Sequence, residues 1–202
     1  MTAEGLTRET IVGFLADIFE RRGADSYLGE AVSMSEHMLQ GAQLAETEGA
    51  GEELVAAALL HDIGHYTGEF GEDYIEQGVD NEHDAAGARV LERFFPPVVV
   101  ECVRLHVAAK RYLCATDPTY LGRLSEASVK TLALQGGPMN PDEVAAFRRN
   151  RFFRQATRVR LWDDAAKVPG VTTPPFAHYA PLLQRVVDGH AAQAQAGARP
   201  IG

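Results

Sequence analysis

The sequence has few cysteines. Cys102 and Cys114 are the only two in 202 residues, and they form no CxxC motif. Structural zinc sites and disulfide frameworks are typically marked by cysteines at short, paired spacings. The pattern therefore indicates two reduced thiols, and it excludes iron–sulfur and cysteine–zinc chemistry as the basis of function.

An excess of positive charge and a long hydrophobic run are also absent. The net charge is −9, whereas a general binder of nucleic-acid phosphates has a basic balance or a basic stripe. No apolar run approaches the length of about 18 residues that spans a bilayer, and the N-terminus lacks the basic segment and apolar core of a signal peptide. We therefore expect a cytoplasmic protein that binds neither nucleic acid nor membrane, and its oligomeric state stays open.

The apolar residues recur at helical spacing along most of the chain, and no segment predicts a strand. The fold class is therefore all-α, with one domain over residues 1–190. Because residues 191–202 are rich in Ala, Gln and Gly, we expect a disordered C-terminal tail there. Helices are predicted over 8–22, 30–48, 52–63, from His83 to the prolines at 96 and 97, over 98–108 and 123–134, and from Pro141 onward, with an interruption near Phe152.

Four histidines and two aspartates lie in these predicted helices or at their edges. The series is His37, His61, Asp62, His83, His106 and Asp163. Because a carboxylate has two oxygens, Asp62 could bridge two metals, with His37, His61 and Asp163 on one metal and His83 and His106 on the other. Ligation by nitrogen and oxygen alone favours iron, manganese or similar ions. On a continuous helix, His65 would share a face with His61.

Four strings of residues resemble a particular branch of a known superfamily. The ligand series resembles the HD-domain superfamily, most members of which hydrolyse phosphate esters. The strings resemble its branch of small mixed-valent diiron oxygenases, which cleave the carbon–phosphorus bond of 1-hydroxyphosphonates. They are YLGEA at 27–31, HDIGH at 61–65, HVAAKRYL at 106–113 and KTLALQGGPM at 130–139.

The resemblance implies an HD-domain helical bundle with a dinuclear metal site at its centre. It implies that the six ligands named above bind two irons in the Fe(II)/Fe(III) state, with O2 as co-substrate. It further implies that His65, Lys110, Ser128 and Thr131 hold the phosphonate, that Tyr27 occupies an iron until substrate displaces it, and that Glu30 faces the substrate's amino group. Tyr27, His65 and Lys110 are the predicted catalytic residues around the irons. A dianionic phosphonate needs such a lysine and several hydrogen-bond donors.

The predicted function is O2-dependent cleavage of an ammonium-bearing 1-hydroxyphosphonate. The substrate is 2-amino-1-hydroxyethylphosphonate or its trimethylammonio counterpart, giving glycine or glycine betaine plus phosphate, and the sequence leaves this choice open. The acidic segment 66–81, between His65 and His83, could help to bind the ammonium group. One alternative is a metal-dependent phosphohydrolase, which would use a metal-bound hydroxide. Another is a noncatalytic HD module that binds a small ligand, and an inositol-type ring oxygenase ranks below hydrolysis.

Overall fold

The fold is built from α-helices. A computed structural model of the chain describes residues 5–25, 27, 29–66 and 82–197. Within those ranges there are nine α-helices and no β-strand, which confirms the predicted all-α class. The helices are α1 (Ile11–Arg22), α2 (Met34–Thr47), α3 (Glu52–Leu60), α4 (His83–Leu91), α5 (Pro97–Thr116), α6 (Glu126–Leu134), α7 (Pro141–Arg149), α8 (Phe153–Ala165) and α9 (Phe176–Gly197).

Helix α3 lies at the centre of the molecule. It packs against α2, α5, α8 and α9, and its residues from Val55 to Leu60 are all buried. A helix that is apolar all round is stable only when other elements cover every face. The two residues that follow it, His61 and Asp62, are therefore delivered into the interior, where they are 1% and 2% exposed.

Side-chain caps fix the starts of two helices that matter for the site. The Ser33 side chain accepts a hydrogen bond from the Glu36 backbone and Glu36 bonds back to the Ser33 backbone, so a capping box begins α2 just before His37. Asn140 and Glu143 form the same arrangement at α7, with Pro141 in the first turn. The helix start predicted at Pro141 is thus confirmed, and the chain does break before Phe153.

The C-terminal region differs from the expectation. The sequence analysis predicted no helix after α8, yet α9 runs from Phe176 to Gly197 and includes Pro181. Residues 191–197, which were expected to be disordered, are helical in the structure. Ala and Gln are good helix formers, and a helix that is already nucleated by packing can extend at little cost. Residues 198–202 lie outside the described residues.

The helix predicted over residues 52–63 ends earlier than expected, so His61 and His65 do not lie on one continuous helix. Helix α3 ends at Leu60, and a short 3-10 helix covers Ile63–Tyr66. Here the backbone passes so close to α4 that a Cβ on Gly64 would lie 1.8 Å from the carbonyl oxygen of His83. The close approach stacks the rings of His65 and His83, whose centroids are 4.1 Å apart. The acidic segment over residues 67–81 lies outside the described residues.

None of the helices in the described ranges combines the length and apolar character that a membrane span requires.

The contact at Gly64 gives a stability prediction. Gly64→Ala should destabilise the fold by about 3 kcal/mol or more, because the new methyl group meets backbone atoms that cannot move aside independently. As a control, Gly13→Ala adds a methyl group with no neighbour within 4 Å on α1, and it should stabilise by up to about 1 kcal/mol through helix propensity. Urea unfolding of both variants measures the difference. Equal stability of the two variants would contradict the packing described for Gly64.

Candidate metal centre

Six buried polar side chains meet where five parts of the fold converge. They come from α2, from the turn after α3, from the start of α4, from α5 and from α8. Each is at most 7% exposed. The residues are His37, His61, Asp62, His83, His106 and Asp163, which are the six ligands predicted from the sequence.

The rings of His37 and His61 face each other through their Nε2 atoms, which are 3.0 Å apart. Nδ1 of His37 lies 3.0 Å from the carbonyl oxygen of Ala166, and Nδ1 of His61 lies 2.8 Å from that of Ala58. A carbonyl oxygen only accepts, so each Nδ1 carries a hydrogen, and Nε2 is the ring atom that offers a lone pair to a metal when the ring is neutral. At 3.0 Å the two Nε2 atoms either share a proton or lie beside a cation.

A second pair of imidazoles repeats the arrangement. Nε2 of His83 lies 3.0 Å from Nε2 of His106, and Nδ1 of His106 donates to the carbonyl oxygen of Val103 at 2.7 Å. Backbone hydrogen bonds of this kind fix the orientation and tautomer of metal-binding histidines. The second pair therefore also presents ring nitrogens toward a common point.

Asp62 lies between the two pairs and gives one oxygen to each. Its Oδ2 is 3.5 Å from Nε2 of His37 and 3.4 Å from Nε2 of His61. Its Oδ1 is 3.6 Å from Nε2 of His83 and 3.3 Å from Nε2 of His106. Two candidate metal groups result, and both contain Asp62. In this arrangement Asp62 lies between the two histidine pairs into which the sequence analysis divided the predicted ligands.

Asp163 joins the group that contains His37 and His61. Its Oδ1 is 3.5 Å from Nε2 of His37, and its Oδ2 is 3.8 Å from Nε2 of His61. Oδ1 of Asp163 and Oδ2 of Asp62 are buried without any hydrogen-bond partner, although a buried carboxylate oxygen normally has one. These two unpartnered oxygens and the facing ring nitrogens fit a pair of metal ions.

The electrostatics of the site keep both aspartates charged. Burial alone would raise the pKa of Asp62, but the imidazole of His61 and its neighbours hold that pKa well below its usual range. Burial likewise opposes ionisation of Asp163, while the guanidinium of Arg160 lowers its pKa. Burial would lower the pKa of His61, yet the two carboxylates raise it to about 9. Positive charge therefore compensates the two buried carboxylates, and an imidazolium, the Arg160 guanidinium or a bound metal ion can each supply it.

The residues predicted to hold substrate line one cavity against this centre. Tyr27 is buried, and its ring stacks on that of His37 with centroids 4.1 Å apart. Nζ of Lys110, which is 3% exposed, donates to Oγ1 of Thr131 at 2.9 Å. Burial lowers the pKa of Lys110 to about 7, and Arg160 adds to the effect. The predicted residues on the cavity wall are Tyr27, Glu30, His65, Lys110, Ser128 and Thr131.

Three further polar residues line the cavity but were not identified from the sequence: Gln135, Arg160 and Lys167. Nη1 of Arg160 donates to Oδ2 of Asp163 at 2.6 Å, and its guanidinium also pairs with Asp164. Arg160 lies three residues before Asp163, and Lys167 lies four residues after it. Both are helical spacings from a predicted metal ligand, so the sequence alone could have indicated that these side chains lie near it.

Comparisons with known proteins agree with this site. A family model described as "HD domain" matches residues 34–139. The chain is 55% identical over 185 residues, 92% of this chain and 94% of the other, to a [1-hydroxy-2-(trimethylamino)ethyl]phosphonate dioxygenase (glycine-betaine-forming) of Leisingera caerulea. It is also 44% identical over 155 residues, 76% of this chain and 77% of the other, to a hydroxymethylphosphonate dioxygenase of Gimesia maris.

The fold and the site define a helical domain with a candidate site for two metal ions at its centre. The chain belongs to the HD-domain family, in the group that contains these two phosphonate dioxygenases.

The sharing of Asp62 gives a prediction about metal content. Asp62→Asn removes the negative charge of a side chain that both groups share, and it replaces one of the two oxygens. The metal content should therefore fall from two ions per chain to one or fewer. Elemental analysis after metal loading measures this. His178 makes a matched control, because its side chain is half-exposed and, among the described residues, hydrogen-bonds only to Glu46. His178→Asn should keep two ions. Two ions in both variants would show that Asp62 is not a shared ligand.

Proposed function

We propose that the protein is a mixed-valent Fe(II)/Fe(III) diiron oxygenase acting on 1-hydroxy-2-(trimethylammonio)ethylphosphonate. The carbon that bears the hydroxyl group becomes a carboxylate, its bond to phosphorus breaks, and O2 is the oxidant, so that glycine betaine and phosphate are formed. One observation carries the proposal. A cavity lined by cationic and hydroxyl side chains lies directly against Asp62, the carboxylate that the two histidine pairs share. The Leisingera relative supports the choice of substrate.

The ligands divide into two sets around Asp62. His37, His61 and Asp163 would hold one iron and His83 and His106 the other, with Asp62 between them. Imidazole and carboxylate ligands suit iron. When bound, the irons would supply O2 binding and one-electron chemistry.

The phosphonate end of the substrate is assigned to the side of the cavity formed by α5 and α6. Lys110 and Thr131 are already hydrogen-bonded to each other there, and Ser128 lies one turn before Thr131 on α6. Since burial disfavours the charged form of Lys110, a dianion next to it would restore the ammonium and form a charge-assisted hydrogen bond. Burial lowers the pKa of His65 to about 4, so at neutral pH its ring is uncharged and has one N–H to donate.

The ammonium end is assigned to Glu30. This residue lines the cavity, and its Oε1 is buried without a hydrogen-bond partner. A trimethylammonium group has no N–H, so it attracts a carboxylate through charge alone and forms no N–H hydrogen bond with it. Opposite charges at Lys110 and Glu30 would orient the substrate along the cavity. The reacting carbon, which lies between the charged ends, would then face Asp62.

Tyr27 is assigned the role of covering the centre before substrate arrives. Its ring lies flat on His37. Burial and the charges of Asp62 and Asp163 raise the pKa of its hydroxyl well above the usual value, so the phenol stays neutral beside these carboxylates. A substrate that brings its own hydroxyl group to the centre would displace it.

The rival functions fit less well. Both named relatives are dioxygenases, and hydrolysis does not readily break a carbon–phosphorus bond because carbon is a poor leaving group. A module that only binds a ligand would not need two sets of buried metal ligands. We place the enzyme in the cytoplasm, acting on a small molecule without a nucleic-acid partner.

Oxygen dependence tests the proposal. Iron-loaded, partly oxidised protein should release phosphate from 1-hydroxy-2-(trimethylammonio)ethylphosphonate in air, and only at background under argon. Lys110→Met should lower kcat/KM for this substrate by roughly 10- to 100-fold, the value of a charge-assisted hydrogen bond. Phosphate quantification and detection of glycine betaine provide the measurement.

A parallel assay tests the rival function, phosphate-ester hydrolysis. The protein is incubated under argon with a phosphate ester such as p-nitrophenyl phosphate. Turnover of the ester without O2, together with no phosphate from the phosphonate in air, would make the protein a phosphohydrolase.

A further inference from the structure

A cluster of arginines lies on the surface where α7 ends and α8 begins. Five arginines and no acidic residue occur between residues 148 and 158, and all five are exposed. Without their charges the net charge of the chain would be −14 instead of −9. This arginine patch therefore concentrates positive charge in a protein that is otherwise acidic. Its members are Arg148, Arg149, Arg151, Arg154 and Arg158.

Aromatic rings beneath the arginine patch contact its guanidinium groups. Tyr112 of α5 packs against Phe147 and Phe153, with ring centroids 5.1 and 6.4 Å away. The guanidinium carbon of Arg148 lies 5.4 Å from the centroid of Tyr112. That of Arg154 lies 5.4 Å from the centroid of Phe153. Two arginines are thus placed over adjoining rings of one aromatic cluster, where cation–π attraction stabilises them.

Two more members of the arginine patch contact rings in the same way. The guanidinium carbon of Arg151 is 4.3 Å from the centroid of Phe152, and that of Arg158 is 5.1 Å from the ring of Trp162. Contact with a ring restricts the motion of a guanidinium group. Less conformational entropy is therefore lost when such a group binds an oxyanion than when a freely moving side chain does.

Most of the charge of the arginine patch is not neutralised within the described ranges. Arg158 pairs with Glu48, whereas Nε of Arg148 donates to the hydroxyl oxygen of Tyr112 at 3.0 Å, which leaves its charge in place. Four arginines form no ion pair with any carboxylate that the structure describes, and their charges add to one another. These four are Arg148, Arg149, Arg151 and Arg154.

Carboxylates border the arginine patch and limit the size of the anion that fits it. Glu101 accepts a hydrogen bond from Asn150, and Glu48 pairs with Arg158. Asp142 is exposed in the first turn of α7. A nucleic-acid strand or an anionic membrane surface carries charge over a longer distance than the patch, so it would also meet these carboxylates and be repelled by them. A short acidic peptide segment can place its charges on the arginines alone.

The arginine patch is remote from the candidate metal centre. Phe153 begins α8, and Asp163 lies ten residues later on the same helix. At 1.5 Å per residue, about 15 Å separate them along the helix axis. A partner bound at the patch therefore makes no contact with Asp163, and substitutions in the patch leave the metal ligands in place.

We propose that the arginine patch is a docking surface for a short acidic segment of another protein. Carboxylates of that segment form paired hydrogen bonds with guanidinium groups that the rings already hold in position. Arginine is also enriched among the residues that contribute most to binding at protein interfaces. The proposal does not depend on the proposed function, because it concerns a surface away from the cavity.

Binding of an acidic peptide tests the proposal. Full-length, iron-loaded protein is titrated into fluorescein-labelled hexaglutamate at an ionic strength of about 0.15 M, and fluorescence anisotropy is measured. A triple variant with Arg149→Gln, Arg151→Gln and Arg154→Gln should bind roughly 10- to 100-fold more weakly, because several exposed charge-assisted contacts are lost. Its iron content and kcat should equal those of the wild type. Arg149→Gln alone should weaken binding a few-fold, and it removes no ring contact among the described residues.

Two further variants separate the arginine patch from net charge. Arg8, Arg89 and Arg93 are exposed outside the patch, and replacing all three by glutamine removes the same total charge. This control should change the affinity by at most about 3-fold, because charges farther away than about 8 Å are screened at this ionic strength. Lysine at the three substituted patch positions keeps the charge but loses the planar guanidinium, so it should weaken binding by about 3- to 10-fold.

The proposal is overturned if the triple glutamine variant binds hexaglutamate as tightly as the wild type. It is also overturned if the lysine variant does so, because positive charge alone would then explain the binding. A third contrary outcome concerns the kind of partner. If hexadeoxythymidylate, or vesicles of phosphatidylglycerol and phosphatidylcholine, bind the wild type more tightly than hexaglutamate does, the patch recognises phosphate groups and not an acidic protein segment.

Discussion

The carboxylate of Asp62 is the group on which the rest of the site depends. Each of its oxygens faces a different pair of imidazoles, and no described side chain donates a hydrogen bond to Oδ2. A buried carboxylate in this position is stable only with cations beside it. The segments that supply the four histidines are therefore packed around one negative charge, that of Asp62. Helices α2, α3, α4 and α5 pack so that the four imidazoles lie beside it.

The same constraint explains the local backbone. Helix α3 is buried on all sides and ends at Leu60, so the chain must turn inside the protein to present His61 and Asp62 in different directions. Gly64 permits this turn to touch α4, which brings His83 to the second pair. Hydrogen bonds from ring nitrogens to backbone carbonyls then fix the rings of His37, His61 and His106. The cavity that Glu30 and Lys110 line lies beside this centre.

Much of the site could be predicted from the sequence, because the metal ligands are chemically distinctive and occur within recognisable strings. The six ligands and the predicted cavity residues converge as expected. Arg160 and Lys167 were missed since arginine and lysine are usually solvated, and only tertiary structure shows them buried. Helix α9 was missed because Pro181 and the Ala- and Gln-rich end resemble a loop or tail, while its stability comes from packing against α1 and α3. The helix predicted over 52–63 ends at Leu60 instead, because the approach of α4 at Gly64 is a long-range contact.

If two irons share Asp62 as proposed, X-ray absorption at the iron edge of the loaded protein tests the arrangement most directly. We expect nitrogen and oxygen neighbours only, together with scattering from a second iron at about 3.5–4 Å, the separation typical of two-metal sites. A spectrum of full-occupancy protein with no iron–iron scattering, or with sulfur among the iron ligands, would contradict it.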